Sequence, residues 1–194
     1  MLQGALAGKV TERYLAEQLD MSRAPVREAM RELVNDGLLE RTSSRIVVVR
    51  QLNLDEIEEI YRIRTMLEAQ AAALAAERST EKELRHFREL HRLMLEAAKN
   101  DDFEGYYLLN IDFHRAIHVA ANSPRLAAII EQVMKESLLL RSRGLVDKEN
   151  LDRSSQEHAQ MISAFESRDA ELASLFMTRH IAGGLRRLHL RSNT

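Results

Sequence analysis

Residues 15–40 read LAEQLDMSRAPVREAMRELVNDGLLE, and this stretch decides the fold of the N-terminal part. Leu15, Ala16 and Leu19 line one face of a short helix for which Thr11 is a suitable N-cap. Asp20-Met21 makes a tight turn, since Asp enters the left-handed backbone region more readily than most residues. Ser22 caps a second helix over 22–36, and Pro25 falls in its first turn, where a missing N–H costs nothing. Val26, Ala29, Met30 and Leu33 form that helix's buried stripe, and Gly37 ends it as a C′ glycine.

Beside the apolar stripe, Arg23, Arg27 and Arg31 repeat at i, i+4, i+8, with Glu28 and Glu32 pointing elsewhere. A short helix packed on one side and lined with arginines on another suits a DNA major groove, where guanidinium forks pair with guanine edges or phosphates. Three arginines alone fit a solvated charged face equally well. Two strands follow, Leu38 to Glu40 and Ile46 to Val49, around Arg41-Thr42-Ser43-Ser44-Arg45. The run Ile46-Val47-Val48-Val49 is the one strongly β-branched segment of the chain.

Composition limits what the rest can be. Seven glycines and two prolines in 194 residues are too few for an all-β sandwich or barrel, and 45% hydrophobic content is too high for disorder. With no cysteine there is no disulfide, no thiolate metal site and no Cys nucleophile. The start, MLQGALAGKV, lacks the features of a signal peptide, and no apolar run approaches the ~20 residues of a membrane span. A soluble, cytoplasmic protein is expected. Net charge is −2, and residues 1–50 carry 8 basic and 7 acidic groups, so only local placement of arginines can make a DNA face.

From Asn53 onward the apolar period is helical. Helices are expected at about 54–78, 80–99, 102–121, 124–143, 151–167 and 169–190, with a loop around Gly144 to Asn150. The expected architecture is mainly α: a winged helix-turn-helix over 1–50, then an all-α antiparallel bundle of six or seven helices over 51–194.

The order of residues in 15–40 closely resembles the winged helix-turn-helix of GntR-family transcription regulators. That resemblance implies DNA contacts from Arg13, Arg23 and Arg27, with Ser22 on a phosphate or base. Ala24 stands where such proteins often carry a hydroxyl, and Asp20 replaces their turn glycine. The wing lacks the usual tip glycine; Ser43-Ser44-Arg45 occupies that stretch, leaving Arg45 to reach a phosphate or a narrow minor groove. The family's first helix precedes the segment matching Leu2-Gln3-Gly4, so most of that helix is expected to be missing here.

Three of the seven histidines lie on core-facing stripes of different helices. His114 sits in YYLLNIDFHRAIH (106–118), one turn after Asn110; His158 shares a face with Met161, Ile162 and Phe165; His180 shares one with Ala173, Phe176 and Met177. Singly, each reads as a hydrogen-bonded core histidine. Together they offer what a borderline divalent ion needs, with an i, i+4 pair placed to chelate. Residues from about Leu54 to Arg187 resemble the FCD-type effector domain of the FadR subfamily. The matching pieces are EIYRIRTMLE (59–68), NIDFH (110–114) to Asn122, EHAQMISAFESRD (157–169) and His180. The resemblance implies a metal held by Asn110, His114, His158 and His180; zinc is the first expectation, with nickel, cobalt or manganese admitted by the same donors. Asp112 is rotated by about 200° from Asn110 on a helix of 3.6 residues per turn and does not replace it. His118, one turn beyond His114, is the main competing ligand.

Asn in place of the family's alternative Asp leaves four neutral ligands around a doubly charged ion. A small carboxylate effector at an open coordination position would neutralise it. Arg64 is the first candidate for a second anchor and Arg141 a weaker one, a structural pair of Arg64 with Glu68 at i+4 being nearly as consistent. The function expected is a DNA-binding repressor that acts as a homodimer on a pseudo-palindromic operator and responds to that effector. A ligand-free interaction scaffold is the alternative. A metal-dependent enzyme ranks last, because no general base or nucleophile pair stands out and no catalytic residue is assigned.

Overall fold

A computed structural model describes residues 11–42, 46–141 and 148–192. The chain divides between Glu56 and Ile57 into two compact units. The sequence places that boundary six residues earlier; Asn53 and Glu56 cap one another at 2.9 and 3.0 Å, and Arg50 pairs with Glu56 at 2.8 Å, which ties the first turn of the next helix to the N-terminal unit.

In the N-terminal unit α1 (Glu12–Gln18) and α2 (Arg23–Asn35) precede the antiparallel strands β1 (Leu39–Arg41) and β2 (Val47–Val49), paired Leu39 to Val49 and Arg41 to Val47. Thr11 caps α1 through Tyr14 N, and Asp20 adopts a left-handed φ of 50° in the turn. Gly37, at φ 74°, closes α2 in a Schellman arrangement, with Gly37 N on Val34 O and Leu38 N on Leu33 O. Two expectations change. Ser22 holds the N-cap position of α2 without a side-chain capping bond. The buried stripe is Val26, Met30 and, partly, Val34, whereas Ala29 and Leu33 are exposed. An i, i+4, i+8 stripe suits a helix meeting one neighbour obliquely; Ala16, Leu15, Leu39 and Val47 complete that small core, and Leu19 lies outside it, exposed at the C-cap of α1.

The second unit contains the helices α3 (Leu54–Arg78, from Ile57 on), α4 (Glu81–Lys99), α5 (Phe103–Ala120), α6 (Pro124–Arg141), α7 (Lys148–Glu166) and α8 (Ala170–Ser192). Their starts carry identifiable caps: the Thr80–Glu83 capping box, Asp102 on Gly105 N, and Asp169 on Leu172 N. Helix α7 begins three residues before the expected start, with Glu149 in its first turn facing the helix dipole. Arg168, at φ 57°, donates to Ser79 O and Ala76 O, fixing the α7–α8 turn against the end of α3. Fully buried Phe87, Phe113 and Phe165 from α4, α5 and α7 stack at 5.1–6.0 Å, forming the apolar floor beneath the histidines. Ala71, Ala72, Ala75 and Ala76 give α3 a small-residue face that lets it approach closely.

Candidate metal centre and nucleic-acid face

Helices α5, α7 and α8 each direct one imidazole into the core. His114 is 1%, His158 0% and His180 7% exposed, and one nitrogen from each lies within 4.8 Å of those of the others. Ring centroids are 4.6 Å apart for His158–His180 and 5.1 Å for His114–His180. Asn110 stands one turn before His114 on the same buried side, with its Oδ1 unpartnered.

The second nitrogens determine the chemistry. His114 Nδ1 donates to Glu68 Oε2 at 2.7 Å, and His180 Nδ1 donates to Glu157 Oε2 at 2.8 Å. A carboxylate partner puts the proton on Nδ1 and raises the basicity of Nε2, the arrangement that orients metal-ligating histidines. The two Nε2 atoms then face one another at 3.1 Å. His158 makes no hydrogen bond at either nitrogen, although it is fully buried. Burial, then the neighbouring His180 and His114, hold its pKa well below the usual histidine value, so its ring is neutral and has a lone pair to give.

A shared proton would satisfy His114 and His180 but not His158 or Asn110. A divalent cation would satisfy all three rings, and the unpartnered Asn110 Oδ1 would be a fourth donor. Two nitrogens bound to one ion at ~2.1 Å each must lie within ~4.2 Å of one another, and the observed 3.1 Å meets that limit. The donor set of three imidazoles and an amide oxygen suits zinc and its neighbours among the first-row metals.

Sequence reasoning names Glu68 only as an ion-pair partner for Arg64 and does not single out Glu157. Glu68 is 0% exposed, and its Oε1 accepts from Arg64 Nε at 2.9 Å. Burial alone would raise its carboxyl, but the Arg64 charge and the His114 and His118 contacts outweigh it and hold the group well below the usual carboxylate range. The available signal was an acidic residue on the alanine-rich buried face of α3. These carboxylates stand directly behind two of the rings, and Arg64 offsets the charge of Glu68.

Arg64 is buried, paired with Glu68, with its Cζ 5.0 Å from the Tyr61 ring centroid. The Arg141 side chain lies outside the described residues. His118 turns to Glu68 Oε2 at 3.3 Å rather than joining the other three rings. Asp112 is exposed beside Arg115. Sequence reasoning also passed over Arg187, 8% exposed and two turns after His180 on the same face of α8.

On the N-terminal unit Arg13, Ser22, Arg23 and Arg27 are all exposed. Arg13 pairs with Glu17 at 2.8 Å, Arg27 with Glu12 across helices at 3.1 Å, and Arg31 with Glu28 at 3.1 Å. Glu28 therefore does not point away from the arginine stripe as expected. Arg45 lies outside the described residues.

Comparison with known proteins places this architecture. The FCD domain model matches residues 59–183, and the model of bacterial regulatory proteins of the gntR family matches residues 5–49. The chain belongs to the GntR family of bacterial regulatory proteins, in its FadR-like group with an FCD domain. The HTH-type transcriptional regulator McbR of Escherichia coli K12 is 36% identical over 132 residues, covering 67% of this chain and 60% of that protein's length. A protein of Paenarthrobacter nicotinovorans named "Probable D-xylose utilization operon transcriptional repressor" is 34% identical over 183 residues, or 93% of this chain and 79% of the relative. The solved structure of E. coli McbR/YncC superposes with a TM-score of 0.85 at 27% identity, covering 96% of this chain and 89% of that one. These relatives are transcription regulators, not enzymes. Among the described residues no helix is long and apolar enough to cross a membrane.

Proposed function

We infer that this DNA-binding transcription regulator is a repressor whose operator affinity is set by a small carboxylate bound at a divalent metal in the helical unit. Asn110, His114, His158 and His180 hold the ion, zinc being the best match to the donors. The observation that carries this reading is the pair of Nε2 atoms facing at 3.1 Å, each ring fixed by its own carboxylate, beside a buried His158 with no partner.

When bound, the ion supplies a positive charge and an open position for one effector carboxylate oxygen. The chain's own residues do the rest. Glu68 and Glu157 hold the His114 and His180 rings in one tautomer and orientation. Arg64 keeps Glu68 ionised inside the core. Phe113, with its centroid 4.6 Å from the His158 ring, and Phe87 behind it exclude water from that side. Arg13, Ser22, Arg23 and Arg27 meet DNA, and two copies of the chain present two recognition helices to a pseudo-palindromic operator. Effector binding biases helix packing between two geometries of the dimer, and only its differential affinity for the two can move operator binding.

The test is fluorescence anisotropy of the zinc-loaded chain against DNA from upstream of its own gene, titrated with small carboxylates. The reading expects salt-sensitive binding that weakens when an effective acid is added and recovers when zinc is chelated together with the acid. DNA affinity indifferent both to every acid and to chelation would contradict it.

A further inference from the structure

Buried polar groups continue past the histidines in one direction along the helices. Beyond the three rings lie Asn110 and Tyr106 on α5, Ser154 on α7, Tyr61 on α3, and Arg187 on α8, each 8% exposed or less. Arg187 follows His180 by seven residues, two turns and roughly 10 Å along the axis, on the same face. Its Nε and Nη1 are buried and lack any hydrogen-bond partner. A guanidinium out of water with donors unmet is costly unless an anion reaches it.

The surroundings fix where that guanidinium lies. Residues 183 and 184 are glycines, and a Cβ on Gly183 would lie 3.2 Å from Arg187 Nη1 and 3.4 Å from Glu157 Oε1. One on Gly184 would lie 3.3 Å from Tyr61 Cε1 and 3.8 Å from Arg187 Nη2. The bare backbone thus lets the guanidinium lie along its own helix, between Tyr61 and Glu157. Glu157 is the nearest carboxylate, but its Oε2 accepts from His180, and it leaves Nε and Nη1 of Arg187 unmet.

Charge gives the class of ligand. Arg64 and Glu68 cancel, and Arg187 and Glu157 cancel, so a divalent ion leaves a net charge of about +2 among these groups. One carboxylate removes half of that. We propose that the effector is a dianion, a dicarboxylate with one head at the metal position and the other on Arg187, and that Arg187 determines specificity for the second head. This rests on the metal-and-carboxylate reading above and names the ligand class of the same site.

The experiment is calorimetric titration of the zinc-loaded full chain with succinate, glutarate, adipate and pimelate, each against the monocarboxylate of equal carbon number. At least one diacid binds about 10- to 100-fold more tightly than its matched monoacid, the range for a charge-assisted hydrogen bond. Arg187→Met reduces that diacid to the affinity its matched monoacid shows in the same variant. If monoacids bind and no diacid gains, or if Arg187→Met weakens both alike, Arg187 is not the second anchor, while the carboxylate reading stands. If no acid of either kind binds the zinc-loaded chain, both fall. The ligand series on the unaltered chain decides alone should Arg187→Met fail to fold.

Discussion

His114 Nε2 lies 3.1 Å from His180 Nε2, while the opposite nitrogen of each ring donates to a different carboxylate, Glu68 at 2.7 Å and Glu157 at 2.8 Å. Two neutral rings held this way aim lone pairs at each other, which repel unless a positive charge sits between them. The two carboxylates come from α3 and α7, so four helices fix the separation of two atoms. A core built only for packing gains nothing from that arrangement. A cation site gains its geometry.

Removal of the Glu68 charge tests how far that geometry depends on it. In Glu68→Gln the buried Arg64 loses its partner, and breaking a buried pair costs about 3 to 5 kcal/mol. Metal affinity falls by about 10- to 100-fold, because an amide no longer fixes the basic nitrogen of His114 outward. Urea melts and zinc titrations measure the two effects separately. A variant as stable as the parent and equally avid for zinc would show that Glu68 orients nothing.

Asn110 and His118 separate the two possible fourth ligands. Asn110→Asp adds an anionic oxygen where Oδ1 is now unpartnered and should tighten zinc binding, whereas Asn110→Leu should weaken it. His118→Ala should leave the stoichiometry unchanged, since that ring faces Glu68 instead. Competition titrations with a chromogenic chelator report all three. Loss of zinc in His118→Ala with none in Asn110→Leu would reverse the assignment.

The metal-free chain should lose stability as pH falls below neutrality. The folded His158 takes a proton less readily than the unfolded chain, so stability rises with pH between the two pKa values. Its contribution is complete above ~6.5, the unfolded value, and is lost as pH falls toward the folded one, at up to about 1.4 kcal/mol per pH unit. Denaturant midpoints between pH 7.5 and 5 in the presence of chelator measure this. His158→Leu should flatten the dependence, and an unchanged slope in that variant would assign it elsewhere.

On the N-terminal unit the arginines should show their DNA role through salt. Arg23→Ala with Arg27→Ala should lower the slope of log affinity against log salt by about 1.8, each phosphate contact contributing about 0.9. Glu12→Gln frees Arg27 from an exposed pair worth at most about 1 kcal/mol and should strengthen binding by up to about fivefold. Anisotropy at several salt concentrations reads both. An unchanged slope in the double variant would place the DNA face elsewhere.

Most helix positions were legible because their boundaries carry local chemistry: Thr11, Thr80 and Asp102 at starts, Gly37 and Asn122 with positive φ at ends. The three histidines were legible because polar rings interrupt apolar stripes. The placement of Glu68 and Glu157 behind those rings was not, since an acidic residue reads as solvated until the helix face that carries it is known to be buried. Arg64 shows the converse. Sequence left it between a ligand anchor and a structural pair with Glu68, and only coordinates show the pair closed at 2.9 Å. The stripe of α2 was misassigned at Ala29 and Leu33 because periodicity fixes a face but not the angle at which a neighbour meets it.

Zinc equivalents per chain, measured by gel filtration after incubation with a small excess of the metal, test the central claim most directly. The account predicts one equivalent on the unaltered chain and none retained by His158→Ala or His180→Ala. A chain that elutes without zinc, or variants that keep the full equivalent, would contradict it.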